Sequence, residues 1–142
     1  MTALKNLKSK VSLSLIFLLK PRKRLKGGML MSKGFSYHYS GTKGHIVSVA
    51  SSLPSNPLEL VKSGWEDISH PKAAASGHYE LKEISTGLRI RFDEKVLGAS
   101  GFKGKDHYHI HNPNATGNHN LYLDKEGNPV RKSSTSSHIL PQ

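Results

Sequence analysis

The sequence predicts an α+β fold, with an N-terminal helix or helices packed on an antiparallel sheet of roughly four strands. Residues 88–92 (LRIRF) and 107–111 (HYHIH) alternate between apolar and polar side chains. This period of two is typical of strands that present one face to a core. Ahead of these strands, residues 56–64 (NPLELVKSG) combine a capping Asn, a Pro at the first helical position and a closing Gly. The fold class follows from this helical signature in front of a run of strands.

The composition suits a single domain whose basic charge is unevenly distributed. The 142 residues are enough for a modest core, and the absence of cysteine excludes disulfide bonds and thiolate zinc sites. The formal net charge is +11, which on its own would suggest nucleic acid or an anionic surface. Residues 1–33 carry nine Lys and Arg and no acid, whereas residues 34–142 carry twelve against ten acids, a net charge of +2. A nucleic-acid function of the body must therefore rest on where its residues lie.

Residues 1–32 form a basic, partly apolar N-terminal arm. Its apolar run at 11–19 (VSLSLIFLL) has nine residues, and a membrane span needs about 20. A strongly basic stretch follows the run in place of the small-residue cleavage site of a signal peptide. The arm is interpreted as an irregular extension or as an amphipathic element on the body or on an anionic surface. We expect no stable membrane span, and we place the functional domain at residues 33–142.

The first part of this domain is expected to hold one short helix between loops. Residues 41–44 (GTKG) predict a loop, and residues 45–49 (HIVSV) predict a short strand or the start of a helical turn. The capping pattern at 56–64 predicts the helix, with Trp65 packing under it. Residues 70–78 (HPKAAASGH) are predicted to be a loop.

The two faces of the predicted sheet differ in chemistry. Residues 121–123 (LYL) and Val130 flank a turn at 125–128 (KEGN) and complete the set of strands. Superposing the apolar positions assigns these residues to the core side: Leu88, Ile90, Phe92, Tyr108, Ile110, Leu121, Leu123 and Val130. The opposite side then carries Arg89, Arg91, His107, His109, His111, Tyr122 and Arg131. A solvated sheet face can carry such residues for solubility alone, so a function is indicated only by the chemistry of their combination.

Guanidinium, imidazole and phenol groups on one face suit RNA cleavage without a metal. A base takes the proton of the 2′-hydroxyl, an acid protonates the leaving 5′-oxygen, and cations stabilise the charge that develops on phosphorus. His107 and His109 are the candidates for the acid/base pair, or for a base plus a phosphate ligand. Arg91 is the candidate phosphate clamp, and His138 is a further catalytic candidate.

Six other residues are candidates for holding the substrate. Lys43 and His45, in the segment GTKGH, could bind an anion with the backbone of their loop, although a plain solvated turn fits equally well. Thr135 lies in a Ser/Thr run that could offer hydroxyls to a phosphate or could be an ordinary polar loop. The remaining candidates lie on the sheet face, where Tyr and His can stack on unpaired bases: Arg89, His111 and Tyr122.

Metal binding is the main alternative to this metal-free chemistry. His107 and His109, two residues apart on a strand, can both reach one ion, as His-x-His pairs do in zinc enzymes. His111 lies about 13 Å from His107 along an extended strand, so all three cannot easily share an ion. A third ligand would come from His119, His138 or Asp124. An Asp-rich magnesium site is not evident, and the favoured interpretation requires no metal and no cofactor.

Several segments of the domain resemble the C-terminal toxin domains of bacterial polymorphic toxins, which end contact-dependent-inhibition, Rhs-type and related secreted proteins. The resemblance covers roughly residues 40–141. It is carried by 41–45 (GTKGH), 56–57 (NP), 64–66 (GWE), 70–71 (HP), 86–93 (TGLRIRFD), 101–110 (GFKGKDHYHI), 112–114 (NPN), 122–124 (YLD), 127–130 (GNPV) and 137–141 (SHILP). Residues 1–32 have no counterpart.

The resemblance implies a ribonuclease toxin of the barnase/EndoU/colicin/RelE-like group, in which helices precede a four-stranded antiparallel sheet that cradles RNA. It also implies a cognate immunity protein, and delivery of the toxin into the cytoplasm of a target bacterium. We therefore expect an endoribonuclease that acts on single-stranded or loop RNA, with tRNA as the expected substrate. The alternatives are a metal-dependent nuclease, a non-catalytic module that binds RNA or an acidic partner, and an inactive remnant.

Overall fold

The computed structural model describes residues 36–142, so the predictions for the arm at 1–32 lie outside it. Within the described residues the fold is α+β, as predicted, and its centre is a single antiparallel sheet of six strands. The strands are β1 (Trp65–Asp67), β2 (His78–Glu83), β3 (Arg89–Asp93), β4 (His107–His111), β5 (Tyr122–Leu123) and β6 (Pro129–Val130). Each strand pairs with the next one along the chain.

The prediction of about four strands is corrected, because β1 and β2 carry little strand signal in the sequence. In β2 (HYELKE) only Leu81 is fully buried, and the other five residues are partly exposed. β2 is held by its long pairing with β3, in which Leu81 lies opposite Ile90 and Tyr79 opposite Phe92. Tertiary pairing therefore determines this strand more than local alternation does.

The helices of the described region are few and short. Helix α1 (Lys43–Ala50) occupies the segment for which a strand or a helical turn was predicted, and Thr42 caps it by accepting a hydrogen bond from the amide of His45 at 3.1 Å. The helix predicted after Asn56 is a 3-10 helix (Pro57–Ser63), capped by Asn56 and closed by Gly64 at φ 93°. A second short α-helix, α2 (Pro71–Ala75), replaces the loop predicted at 70–78.

The core lies on one face of the sheet. Ile46 and Val49 of α1 pack there, together with Leu53 and Trp65. The sheet contributes Leu81, Ile90, Phe92, Tyr108, Ile110 and Leu123, all buried. Val130 was predicted on this face, but it pairs with Tyr122 and therefore shares the opposite face. Because helix and apolar residues occupy one face, the other is left to polar side chains.

The C-terminal segment adds an extended stretch beside β4. The amide of Tyr108 donates to the carbonyl of Ile139 at 2.8 Å, and the amide of Ile139 donates to the carbonyl of Tyr108 at 2.9 Å. Ile139 is buried in the core. Since side chains alternate along an extended chain, the preceding His138 lies on the polar face of the sheet. No helix in residues 36–142 is long and apolar enough to cross a membrane.

Candidate active site

Strand β4 holds two histidines on the polar face of the sheet. Tyr108 and Ile110 are completely buried in the core, so His107 and His109 point to the opposite side, as the alternation predicted. Both histidines are nonetheless buried, with only 8% and 7% of their side chains exposed. A histidine that served only for solubility would be exposed, so their burial indicates a specific role.

His138 completes a cluster of three imidazoles with His107 and His109. The centre of its ring lies 4.9 Å from that of His107 and 4.7 Å from that of His109. The rings of His107 and His109 are 5.0 Å apart. The ring of Phe102 stacks on that of His138 at 4.6 Å. The cluster therefore joins residues about 30 positions apart in the sequence through the pairing of Ile139 with β4.

Backbone carbonyls fix the orientation of all three rings. Nδ1 of His107 lies 2.8 Å from the carbonyl oxygen of Lys105, and Nδ1 of His109 lies 2.9 Å from that of Ser137. Nδ1 of His138 lies 3.0 Å from the carbonyl oxygen of Ser134. A carbonyl oxygen only accepts, so each Nδ1 carries its hydrogen and each neutral ring has its lone pair on Nε2. The cluster thus presents three Nε2 atoms that can accept a proton or bind a metal ion.

The spacing of the ring nitrogens would allow a metal ion to be shared. One nitrogen of each ring lies within 4.8 Å of a nitrogen of both other rings. Of the three residues that the sequence suggested as a third ligand, His138 is the one that lies beside His107 and His109. His119 is exposed, lies in the short 3-10 helix Asn118–Asn120 and contacts Thr116. Asp124 accepts hydrogen bonds from the turn that follows β5.

Asp93, at the end of β3, joins the cluster to His78 and Arg91. Its Oδ2 lies 3.5 Å from Nε2 of His107 and 3.7 Å from Nε2 of His109. Its Oδ1 binds Nδ1 of His78 at 2.8 Å and Nε of Arg91 at 2.9 Å. Burial would raise the pKa of Asp93, but the hydrogen bond with His107 and the charge of Arg91 outweigh burial and hold this pKa well below its usual range. Asp93 is therefore a carboxylate at neutral pH.

The two buried histidines of β4 have shifted pKa values of opposite sign. Burial lowers the pKa of His107, but the hydrogen bonds that its protonated ring donates to Asp93 and to the backbone, together with the charge of Asp93, raise this pKa overall. Burial, together with the neighbouring His107 and His138, lowers the pKa of His109 to about 3. Two adjacent imidazoles thus differ in proton affinity, an arrangement typical of acid/base pairs.

The cluster opens into a pocket of about 450 Å³ whose lining carries three cationic side chains and two carboxylates, Asp93 and Glu94. Arg91, Lys103 and Lys132 line it together with the three imidazoles and Asp93. Nη1 of Arg91 lies 3.5 Å from the hydroxyl of Tyr122. The ring of Tyr122 stacks on that of His109 at 4.4 Å, and only 3% of Tyr122 is exposed. Tyr122 was predicted to stack on an unpaired RNA base. In the structure its ring packs on the imidazole of His109 and supports it.

Two predicted substrate-binding residues lie away from this pocket, on helix α1. Lys43 binds Oδ1 of Asn128 at 2.6 Å, and Nε2 of His45 binds Glu83 at 2.7 Å. Helix α1 packs on the core face of the sheet, whereas the imidazoles lie on the opposite face. The structure therefore gives Lys43 and His45 contacts that attach α1 to neighbouring segments.

The other three predicted binding residues also lie outside the pocket lining. The guanidinium of Arg89 lies over the ring of Tyr37 at 5.1 Å, and Nε2 of His111 lies 3.5 Å from Glu80. Both residues lie on the same face of the sheet as the imidazoles, but not beside them. Thr135 is exposed, and its carbonyl oxygen lies 3.2 Å from Nδ1 of His138.

Several residues of the pocket, foremost Asp93, were not predicted from the sequence. Its signal was present, because position 93 continues the alternation of Arg89 and Arg91 along β3. What was missing was the register that places Asp93 opposite both His107 and His78. Lys103 and Lys132 lie outside the strands, and no sequence pattern marks them as pocket residues.

Comparison of the chain with protein-family models, with curated proteins and with solved structures gave no match.

Proposed function

We propose that this protein is an endoribonuclease that cleaves RNA by acid/base chemistry without a metal ion. The observation that supports the proposal most is the convergence of three imidazoles, each oriented by a backbone carbonyl, on one cationic pocket. An RNA phosphodiester needs a proton acceptor, a proton donor and positive charge within a few ångströms of one another. This pocket holds all three kinds of group.

In the proposed reaction the RNA supplies its own nucleophile. One imidazole of the His107/His109 pair takes the proton of a 2′-hydroxyl, and that oxygen attacks the adjacent phosphorus. The bond from phosphorus to the 5′-oxygen breaks, and a second imidazole, from this pair or from His138, donates a proton to the leaving oxygen. The products are a 2′,3′-cyclic phosphate and a 5′-hydroxyl, so the atoms balance without water or a cofactor.

Arg91 and the pocket lysines stabilise the negative charge of the phosphorane in this mechanism. Arg91 is held by Asp93 through Nε at 2.9 Å and contacts the Tyr122 hydroxyl through Nη1 at 3.5 Å, so Nη2 and the second hydrogen of Nη1 can bind the phosphate. Lys103 and Lys132 add charge at the same pocket. We propose single-stranded or loop RNA, with tRNA foremost, because an unpaired strand can bring its 2′-hydroxyl to buried imidazoles.

The resemblance to polymorphic-toxin domains supports a biological setting for this activity. We propose a bacterial toxin that is delivered into the cytoplasm of a target cell and cleaves RNA there. In the producing cell a cognate immunity protein would keep it inactive. Expression of the chain without an immunity protein should therefore stop bacterial growth, and expression without toxicity would favour an inactive remnant.

The direct test is incubation of the purified full chain with tRNA and total RNA in excess EDTA. We expect discrete RNA fragments on a denaturing gel. His109→Ala should reduce cleavage by about 10²–10⁴-fold, which is the usual contribution of a positioned acid or base. The matched control is His119→Ala, which removes an exposed histidine outside the pocket and should leave cleavage unchanged.

Other functions give different results in the same test. Loss of cleavage in EDTA, with recovery on addition of Zn²⁺ or Mg²⁺, would replace the proposal with a metal-dependent nuclease. RNA that is retained but stays intact, with binding that weakens steeply as salt increases, would indicate a binding module. Full activity of a correctly folded His109→Ala variant would contradict the assignment of the site.

A further inference from the structure

We propose that His107, His109 and His138, with Asp93 as a fourth ligand, bind a divalent transition-metal ion of the Zn²⁺ class, and that this ion inhibits the enzyme. The first half of the proposal concerns binding alone. The second half, inhibition, rests on the proposed ribonuclease function. Zinc would then regulate the same three imidazoles that transfer protons in the metal-free protein.

The spacing of the imidazole nitrogens supports binding. Zinc–nitrogen distances of about 2.0–2.1 Å in a tetrahedral site place two nitrogens roughly 3.4 Å apart. Each ring already has a nitrogen within 4.8 Å of one on both other rings. The nitrogen atoms would have to approach one another by no more than about 1.4 Å, which small side-chain rotations can supply.

The contacts behind the rings support binding independently of this spacing. Histidines that bind metals commonly donate their other ring N–H to a carbonyl or carboxylate, which fixes the ring orientation and the tautomer. All three rings have this arrangement, with the carbonyls of Lys105, Ser137 and Ser134 as acceptors. An acid/base pair needs two oriented rings, whereas a metal site gains affinity from three.

The composition of the site selects the kind of ion. Three imidazoles and one carboxylate suit Zn²⁺, Cu²⁺ or Ni²⁺. Mg²⁺ and Ca²⁺ require six or more oxygen ligands, and apart from Asp93 the nearby carboxylate on the pocket lining is Glu94. Binding should therefore discriminate strongly against Mg²⁺.

Asp93 makes inhibition the expected result of binding. Its Oδ2 is already adjacent to the Nε2 atoms of His107 and His109, at 3.5 and 3.7 Å. Arg91 and His78 hold Oδ1 and so direct Oδ2 toward the imidazoles. Zinc sites filled by four protein ligands are closed, whereas catalytic sites keep one position open for water or substrate. A bound ion would also occupy the lone pairs that accept protons.

The binding half is tested on the full chain after dialysis against EDTA and removal of the chelator. We expect calorimetry to show one Zn²⁺ bound per chain, and Co²⁺ to give the visible absorption of a tetrahedral site. His138→Ala should weaken binding by at least about 100-fold, since loss of even a supporting contact costs 10–100-fold. His119→Ala should bind as the unmodified chain does.

The Co²⁺ spectrum of the unmodified chain keeps this test informative even where a variant fails to fold. Absence of Zn²⁺ binding and of a tetrahedral Co²⁺ spectrum in the folded, unmodified chain would overturn the proposal. So would unchanged affinity in a correctly folded His138→Ala variant. Neither result would affect RNA cleavage in EDTA, so the proposed function would stand.

The inhibition half is tested by adding Zn²⁺ to the metal-free chain during RNA cleavage. We expect one equivalent to reduce the rate by at least tenfold, EDTA to restore it, and Mg²⁺ at the same concentration to have no effect. Cleavage that requires Zn²⁺ would overturn both inhibition and the metal-free mechanism. Zn²⁺ binding by a chain that never cleaves RNA would leave the metal site intact and contradict the ribonuclease proposal.

Discussion

At the scale of residues, the cluster depends on orientation as much as on proximity. The contacts of Nδ1 to the carbonyls of Lys105, Ser137 and Ser134 leave each imidazole with one orientation and one tautomer. Tyr122 and Phe102 stack on His109 and His138 and hold them further. A site whose side chains are oriented in advance loses little free energy to reorganisation during the reaction.

Substitutions of Arg91 test electrostatic stabilisation of the phosphorane separately from proton transfer. Arg91→Ala removes a charge beside the proposed phosphate position and breaks the ion pair with Asp93, so we expect kcat to fall by about 10²–10³-fold. Arg91→Lys should recover only part of the activity, because an ammonium group lacks the planar fork of a guanidinium. Steady-state cleavage of a short fluorescent RNA measures both variants.

Arg131 provides the matched control for Arg91. It is an exposed arginine outside the pocket lining, so Arg131→Ala should leave kcat close to that of the unmodified chain. Equal losses in the two alanine variants would show that general positive charge, and not the position of Arg91, accounts for the effect.

At the scale of elements, the C-terminal segment is the least obvious part of the site. Ile139 pairs with Tyr108 and lies in the core, and this pairing is what carries His138 to His107 and His109. Local periodicity predicted β3 and β4 well because apolar and polar side chains alternate along both strands. The same reasoning could not predict the meeting of His138 with β4, since pairing between distant segments leaves no local pattern.

The register between strands explains two further differences from the prediction. Asp93 was not among the predicted site residues, and only its pairing opposite His107 shows that it belongs to the site. Val130 was assigned to the core because it is apolar, but pairing with Tyr122 puts it on the polar face. A shift of one residue exchanges the two faces of a strand, so short strands such as β6 are the hardest to assign.

Packing of Ile139 should affect both the stability of the fold and the rate of RNA cleavage. Ile139→Ala leaves a cavity in the core, and we expect it to lower the free energy of unfolding by about 2–5 kcal/mol. It should also reduce cleavage under conditions where the protein stays folded, because the segment that positions His138 is loosened. Urea denaturation and cleavage of a fluorescent RNA measure the two effects.

Ile139→Val is the control for this coupling. It keeps the branched side chain and should cost only about 0.5–1.5 kcal/mol. Activity should then remain close to that of the unmodified chain. A stable Ile139→Ala variant with full activity would show that the position of His138 does not depend on this packing.

At the scale of the whole molecule, the net charge of the domain does not reveal that positive side chains are concentrated at one pocket. Residues 34–142 carry a net charge of only +2, yet Arg91, Lys103 and Lys132 meet at a single pocket. Each phosphate contact with single-stranded RNA contributes about 0.7 to the slope of log affinity against log salt. Lys132→Ala should therefore reduce that slope by about 0.7, and equally for RNAs of different sequence.

The control for this prediction is Lys62→Ala. Lys62 is an exposed lysine at the end of the 3-10 helix Pro57–Ser63, outside the pocket lining. It should leave the slope unchanged. Filter binding to a 2′-O-methylated RNA, which has no free 2′-hydroxyl and cannot react by the proposed mechanism, would separate binding from cleavage. An unchanged slope for Lys132→Ala would place RNA elsewhere on the molecule.

In the proposed mechanism, buried imidazoles direct a 2′-hydroxyl against the adjacent phosphate. This step is tested most directly by identifying the ends of the RNA fragments that the purified chain produces in excess EDTA. The proposed mechanism predicts 2′,3′-cyclic phosphate ends and 5′-hydroxyl ends. Fragments with 3′-hydroxyl and 5′-phosphate ends would require an activated water in place of the 2′-hydroxyl and would contradict it, as would the absence of cleavage by the folded protein.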